Sequence, residues 1–297
     1  MLEDPILSIV TKLSSTFSIL GSLYLIFKFY NANTTYRTNL SNRVILYMSL
    51  LDVVGSINFF IGSFVFNSTI GCSIQGIIVE MMVAGPLWNS VFVLNVLLRV
   101  VFNVHKEKAN SLEFIYHLVV WGIPIAGNIA ALSENAYSIV GAWCWYKPEY
   151  VLLRFGTFYG WVFASVLFNI IVSICVIWYI KITIGKYNNN KNLLRSGQRQ
   201  LLYVVAFIIS FGPSSLLRLM QLATGKQNYT LTVIQATTLP LQGFLNCIVY
   251  LILQKRRKTQ TFTSIQGLGS SGSWHSQAED SVQSRRQSAL LELTEEL

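Results

Sequence analysis

Charge is scarce in this chain. Asp, Glu, Lys and Arg make up only 12% of its 297 residues, about half the share usual in a soluble domain and too little to cover a globule with solvated side chains. Histidine is scarcer still: His105, His117 and His275 are scattered over a loop, a segment entrance and the tail, a spacing that assembles no metal cluster. The chain lacks His-Glu-x-x-His, a phosphate-cradling glycine loop and a serine elbow. These absences argue against a soluble enzyme, a disordered protein and a coiled coil, and they call for no cofactor.

What is present is apolar. Hydrophobic residues make up 53% of the chain and the mean hydropathy is +0.49. A helix crossing the hydrocarbon needs about 20 mostly apolar residues, with its backbone hydrogen bonds closed internally because lipid offers no partners. Seven such segments are predicted, near Ile6–Tyr30, Val44–Phe66, Cys72–Phe102, Phe114–Leu132, Val151–Ile184, Leu201–Leu222 and Leu231–Leu253. The expectation is an all-α, seven-transmembrane-helix bundle over residues 1–253, followed by a disordered cytoplasmic tail over 254–297. The acidic start Met1-Leu2-Glu3-Asp4-Pro5 and the length of the first apolar run argue against a cleaved signal peptide.

The net charge of +9 invites a nucleic-acid reading, and the placement of the cations removes it. Of 22 Lys and Arg, 17 fall on one membrane side: Lys28, Arg37 and Arg43, then Arg99, Lys106 and Lys108, then five from Lys181 to Arg199, then six in the tail. The other side holds Lys147, Arg154 and Lys226. Cytoplasmic loops are enriched in Lys and Arg, so the N-terminus is expected outside and the C-terminus inside, in a plasma-membrane protein. Cys72 and Cys144 then lie on the oxidising side, where a disulfide could form and persist. Asn67 and Asn228 open sequons outside, but Asn33 and Asn39 match the same pattern inside, so sequons weigh little. The cluster Lys255-Arg256-Arg257-Lys258 fits either attraction to anionic membrane lipid or a stop-transfer anchor.

Ionisable residues inside spanning helices are costly and mark functional candidates. Lys12, Glu80 and Arg218 occupy the outer parts of segments one, three and six, either as a polar ligand pocket or as a Glu80 pair with Lys12 or Arg218. Asp52 is expected to meet Asn95 and Asn246 in a buried polar network, or else to be a singly hydrogen-bonded Asp. Pro86, Pro124, Pro213 and Pro240 each mark an expected kink, and Gly212-Pro213 in segment six is the candidate hinge.

Three motifs follow one another through the middle of the chain: Trp121-Gly122-Ile123-Pro124, then Gly141-Ala142-Trp143-Cys144-Trp145, then Arg154-Phe155-Gly156-Thr157-Phe158-Tyr159-Gly160. The series resembles the cyclic-AMP-receptor-like family of G-protein-coupled receptors, most specifically over residues 118–160. Asn246-Cys247-Ile248-Val249-Tyr250 also looks like a receptor helix-seven pattern, with Cys247 where many receptors place proline.

The resemblance implies a Cys72–Cys144 bridge, a ligand in the outer half of the bundle, and a heterotrimeric G protein engaged by movement of helix six. The candidate ligand contacts are Lys12, Glu80, Trp143, Trp145, Arg154 and Arg218, and the candidate activation network is Asp52, Asn95, Gly212, Pro213, Asn246 and Tyr250. A cyclic nucleotide would need cations for its phosphate, and Lys12, Arg154 and Arg218 are the candidates. Arg154 reads equally well as an interfacial anchor. Helix three ends Leu98-Arg99-Val100-Val101 without an acidic-Arg-aromatic triplet, which leaves Arg99 as the candidate G-protein contact. Arg285-Arg286-Gln287-Ser288 resembles a kinase site at Ser288.

Two other seven-helix classes compete. A retinal protein needs a Schiff-base lysine in its last helix, and Leu231–Leu253 has none. A carrier built as three helices, a linker and three more should break its third and seventh segments alike, whereas the Gly-Pro pairs fall in the third and sixth.

Overall fold

A computed structural model describes residues 4–62, 68–140, 143–186, 191–226 and 228–269; Asn67 and Ser288 lie outside them. The first segment is helix α1 (Pro5–Tyr30), started by Pro5 and by Asp4, whose carboxylate accepts from the Ile6 amide at 2.9 Å. Short α2 (Thr34–Arg37) leads to α3 (Leu40–Phe60), which ends six residues before the predicted boundary. The third segment is two helices, α4 (Thr69–Met81) and α5 (Ala84–Val100). Pro86 falls in the first turn of α5, where its missing N–H deprives no helical bond, so the break precedes the proline.

Short α6 (Lys106–Ser111) precedes α7 (Glu113–Ser133), which runs through Pro124 without interruption. An antiparallel hairpin absent from the sequence expectation follows: β1 (Tyr137–Val140) pairs with β2 (Trp143–Tyr146). The fifth segment is α8 (Val151–Leu153), a π turn over Arg154–Tyr159, and α9 (Gly160–Lys186). The sixth, α10 (Lys191–Thr224), continues through Gly212-Pro213. The seventh is broken at Pro240 into α11 (Tyr229–Thr238) and α12 (Gln242–Gly269), bent by 53°. Among the described residues six helical spans are long and apolar enough to cross a membrane, and the bent pair makes seven. The helix α12 extends to Gly269, past the boundary expected at residue 253.

The packing inverts the pattern of a soluble bundle. On α1 the buried face is Thr11, Ser14, Ser15, Ser18, Gly21, Ser22 and Leu25, while Ile9, Leu13, Phe17, Leu20 and Phe27 are exposed. Lipid is as apolar as Leu, so burial of apolar surface drives nothing here; small residues let helices approach, and large apolar ones face the acyl chains. Two cores result. One, around Val44, Trp88, Phe92 and Tyr203, fills the middle of the bundle; the other, around Trp143, Trp145, Tyr159 and Phe211, lies beneath the hairpin.

Asparagine caps account for three of the four sequon matches. Asn33, Asn39 and Asn228 each precede a helix and accept from a backbone amide two or three residues on. A hydroxyl residue two positions after Asn belongs equally to a helix's first turn, so the motif is met by capping alone.

Candidate functional site

A cavity of about 320 Å³ opens at the hairpin end of the bundle, between the hairpin, the π turn, α10 and α11. Its polar lining comes from Arg154, Arg218, Gln221, Thr232 and Gln235, and its aromatic wall from Trp143, Phe155 and Tyr159. The π turn carries three of these, Arg154, Phe155 and Tyr159. It adds one residue to a helical turn and so re-aims the side chains around it. A Cβ at Gly160 would overlap the Phe155 carbonyl, which explains the glycine that closes Arg-Phe-Gly-x-Phe-Tyr-Gly.

Both guanidiniums are nearly buried, 9% and 8% exposed for Arg154 and Arg218. Arg154 donates to the Tyr146 carbonyl from Nε at 3.2 Å and from Nη2 at 2.5 Å. Arg218 donates from Nε to the Tyr159 hydroxyl at 2.9 Å and from Nη1 to Gln221 Oε1 at 2.6 Å. The two cations lie 5.4 and 5.9 Å from the centre of the same indole, Trp145. Among the described residues the one ion pair is Arg43–Glu113, at the opposite end. Glu149 acts on Arg154 only from beyond ion-pair distance. Two like charges are thus brought to one cavity with neutral partners alone, an arrangement that favours a bound anion.

Trp145 is held from behind. Its Nε1 donates to Glu80 Oε2 at 3.4 Å, and its ring stacks on Tyr146 with centroids 5.1 Å apart. The hairpin is fixed to α4 by the Cys72–Cys144 disulfide, with Cα atoms 5.2 Å apart, and by Gln75 Oε1, which accepts from the Cys144 amide at 2.7 Å. On the hairpin, burial raises the phenol pKa values of Tyr137 and Tyr146, and the charge of Glu80 pushes the same way. Both hydroxyls therefore stay donors, and Tyr137 donates to Asn128 Oδ1 at 2.5 Å.

The structure gathers only part of the predicted ligand set. Trp143, Arg154 and Arg218 line the cavity, and Trp145 underlies it. Glu80 is fully buried behind Trp145, and its carboxylate takes neither Lys12 nor Arg218. Lys12 is half-buried on α1, away from the lining. Gln221, Thr232 and Gln235 were not predicted; neutral amides and hydroxyls near helix ends carry no signal that distinguishes a lining residue from a solvated one.

The predicted activation set divides as well. Asn246 Nδ2 donates to Asp52 Oδ2 at 3.0 Å, whereas Asn95 Nδ2 donates to Ser41 Oγ at 2.8 Å and does not join them. The cause is direction. Helices α3 and α5 run antiparallel, so Asn95, late in α5, meets the first turn of α3, about 16 Å from the level of Asp52 at 1.5 Å per residue. Tyr250 packs one turn beyond Asn246 against the central core. Arg99 is half-buried in the last turn of α5, at the end opposite the cavity.

Residues 3–254 match the family model described as slime mold cyclic AMP receptor. Cyclic AMP receptor-like protein A of Dictyostelium discoideum is 27% identical over 245 residues, 81% of this chain and 63% of that one. The chain also covers 24% of Cyclic AMP receptor 4 of the same organism, at 29% identity over 106 residues, 35% of its own length. G-protein coupled receptor 1 of Arabidopsis thaliana is 25% identical over 223 residues, 71% of this chain and 67% of that one. Squid rhodopsin shares the fold, with a TM-score of 0.62 at 14% identity, covering 93% of this chain and 90% of its own. The protein is multi-pass in the membrane, and the chain belongs to the slime mold cyclic AMP receptor family.

Proposed function

We propose that the protein is a receptor that takes a small anionic ligand in the cavity at the hairpin end and activates a heterotrimeric G protein at the opposite end. The observation that carries this reading is the convergence of Arg154 and Arg218 on one cavity with no carboxylate of the described residues at ion-pair distance. The aromatic wall beside them suits a ligand with a flat ring, and a cyclic nucleotide is one such anion. Orientation follows the cation bias, with the hairpin end outside and the disulfide in an oxidising compartment. Ligand binding must favour the active arrangement over the resting one, since equal affinity shifts no population. Arg99 is the proposed G-protein contact, and Asp52, Asn246 and Tyr250 lie between the two ends.

The test is nucleotide exchange on a co-expressed Gα subunit, with cyclic AMP, cyclic GMP and other small organic anions as agonists. Stimulation by an anion that is lost in Arg154→Gln and in Arg218→Gln supports the reading. Stimulation only by cations or neutral compounds, or by none with any Gα, rejects it.

A carrier is the second reading, because the breaks at residues 82–83 and 239–241 fall in the third and seventh segments, where a three-one-three repeat would place them. Ligand uptake by proteoliposomes lacking any G protein would favour it.

A further inference from the structure

The side of α4 toward the hairpin carries a series of attachments for it. Cys72 bonds covalently to Cys144, Gln75 accepts from the Cys144 amide, and Glu80 accepts from the Trp145 indole. At about 100° per residue, positions 72, 75 and 80 fall within an arc of about 140°, so all three reach the hairpin side of the helix. Gly76, between them, leaves room for the Tyr137 ring, which a Cβ there would overlap. Glu80 Oε1 in turn lies 2.8 Å from where a Cβ at Gly127 would stand, so α7 is hollowed to admit the carboxylate. Each attachment brings the hairpin closer to one arrangement, and Glu80 is the one that reaches the ring under both guanidiniums.

We propose that Glu80 is a positioning residue for the anion site: through the Trp145 indole it fixes the surface on which Arg154 and Arg218 are held. This rests on the anion reading given above. Glu80 does not touch the ligand. An indole has one N–H, and a single acceptor for it sets the ring's rotation about its own plane. Without that acceptor the ring turns, Arg154 and Arg218 lose a common face, and the cations no longer converge. The hydrogen-bonding oxygen, rather than the negative charge, is what the site requires.

The experiment places a thiol in the cavity wall by Leu222→Cys in a Cys175→Ser, Cys247→Ala background. It compares modification rates by anionic (sulfonatoethyl) and cationic (trimethylammonioethyl) methanethiosulfonates, each normalised to a free thiol. The parent is expected to favour the anionic reagent by roughly tenfold or more, as in a cation-lined cleft. Glu80→Gln, which keeps an oxygen acceptor, should retain at least that preference. Glu80→Leu should lose most of it. Simple removal of a negative charge would instead raise the preference in both variants, so a rise in Glu80→Leu, or equal behaviour of the two, overturns the proposal.

Trp145→Phe tests the same link with a smaller change, should Glu80→Leu fail to fold. It should lower the preference, and adding Glu80→Leu should lower it no further; an unchanged preference in Trp145→Phe overturns the proposal. A parent without any anionic preference removes the anion reading itself, and the positioning role with it. A parent with the preference and an insensitive Glu80→Leu removes the positioning role alone.

Discussion

The amide of Asn246 donates to Asp52 Oδ2 at 3.0 Å, joining the seventh and second segments at a buried point. Nearby, Ser18 Oγ accepts from the Gly243 amide at 3.1 Å, so the small-residue face of α1 closes the same region. Asn246→Leu would leave the carboxyl buried without its partner, a loss of about 1–3 kcal/mol. The thermal midpoint in detergent should fall by several degrees. Asp52→Asn keeps an acceptor for Asn246 and should stay near wild type; an equal fall in both variants would contradict this assignment.

At the opposite end, Arg43 grips Glu113 through two bonds, Nε to Oε1 at 2.8 Å and Nη2 to Oε2 at 2.6 Å. Tyr47 donates to the same carboxylate at 2.8 Å, and Arg43 Nη1 donates to the Thr38 carbonyl at 2.6 Å. The pair ties α3 to α7 and holds the segment after α2. Its side chains are about one-fifth exposed, so Glu113→Ala should cost about 1–2 kcal/mol, more than an exposed pair. The Arg43→Glu, Glu113→Arg exchange should recover only part, because Tyr47 and Thr38 are matched to the original polarity. Thermal unfolding of both variants measures this, and full recovery by the exchange would show that Tyr47 and Thr38 contribute nothing.

The disulfide should govern delivery to the cell surface. Cys72→Ser or Cys144→Ser frees the hairpin's covalent attachment, worth roughly 2–4 kcal/mol, and leaves Gln75 and Glu80 to hold it. Surface expression is expected to drop in both variants, and by the same amount in the double variant. Wild-type expression with an unchanged ligand response would count against a role for the bridge.

Helix α10 passes through Gly212-Pro213 without a break, and a Cβ at Gly212 would meet only the Ile208 side chain, at 3.9 Å. Gly212→Ala is therefore accepted sterically and should stiffen the helix by up to about 1 kcal/mol. If this point bends during activation, Gly212→Ala and Pro213→Ala should each alter basal or agonist-driven nucleotide exchange while leaving expression intact. Unchanged exchange in both would remove the hinge.

Arg218 is visible in the sequence because a charged side chain in a spanning segment is costly enough to stand out, and Trp145 and Arg154 are visible because they fall in the contiguous motif series. Their mutual arrangement is not visible. Whether Arg154 anchors at an interface or turns into a cavity depends on a π turn, and a one-residue change in helical register leaves no compositional trace. Glu80 was assigned by the same rule to the ligand, yet it lies behind the indole; cost identifies the residue, while its partner depends on which helix faces it. Asn95 was grouped with Asp52 by residue type alone, and the antiparallel course of α3 and α5 separates them.

The sequence by itself determined the class, the apolar segments and the family, since hydrocarbon imposes a length and composition that few other environments share, and a contiguous motif series survives without tertiary context. Only the tertiary structure decided which of the four prolines break their segments, that a hairpin lies over the cavity, and which buried polar groups meet. These depend on contacts between residues tens to hundreds of positions apart, and no local propensity encodes which of several equally polar groups will be the one in reach.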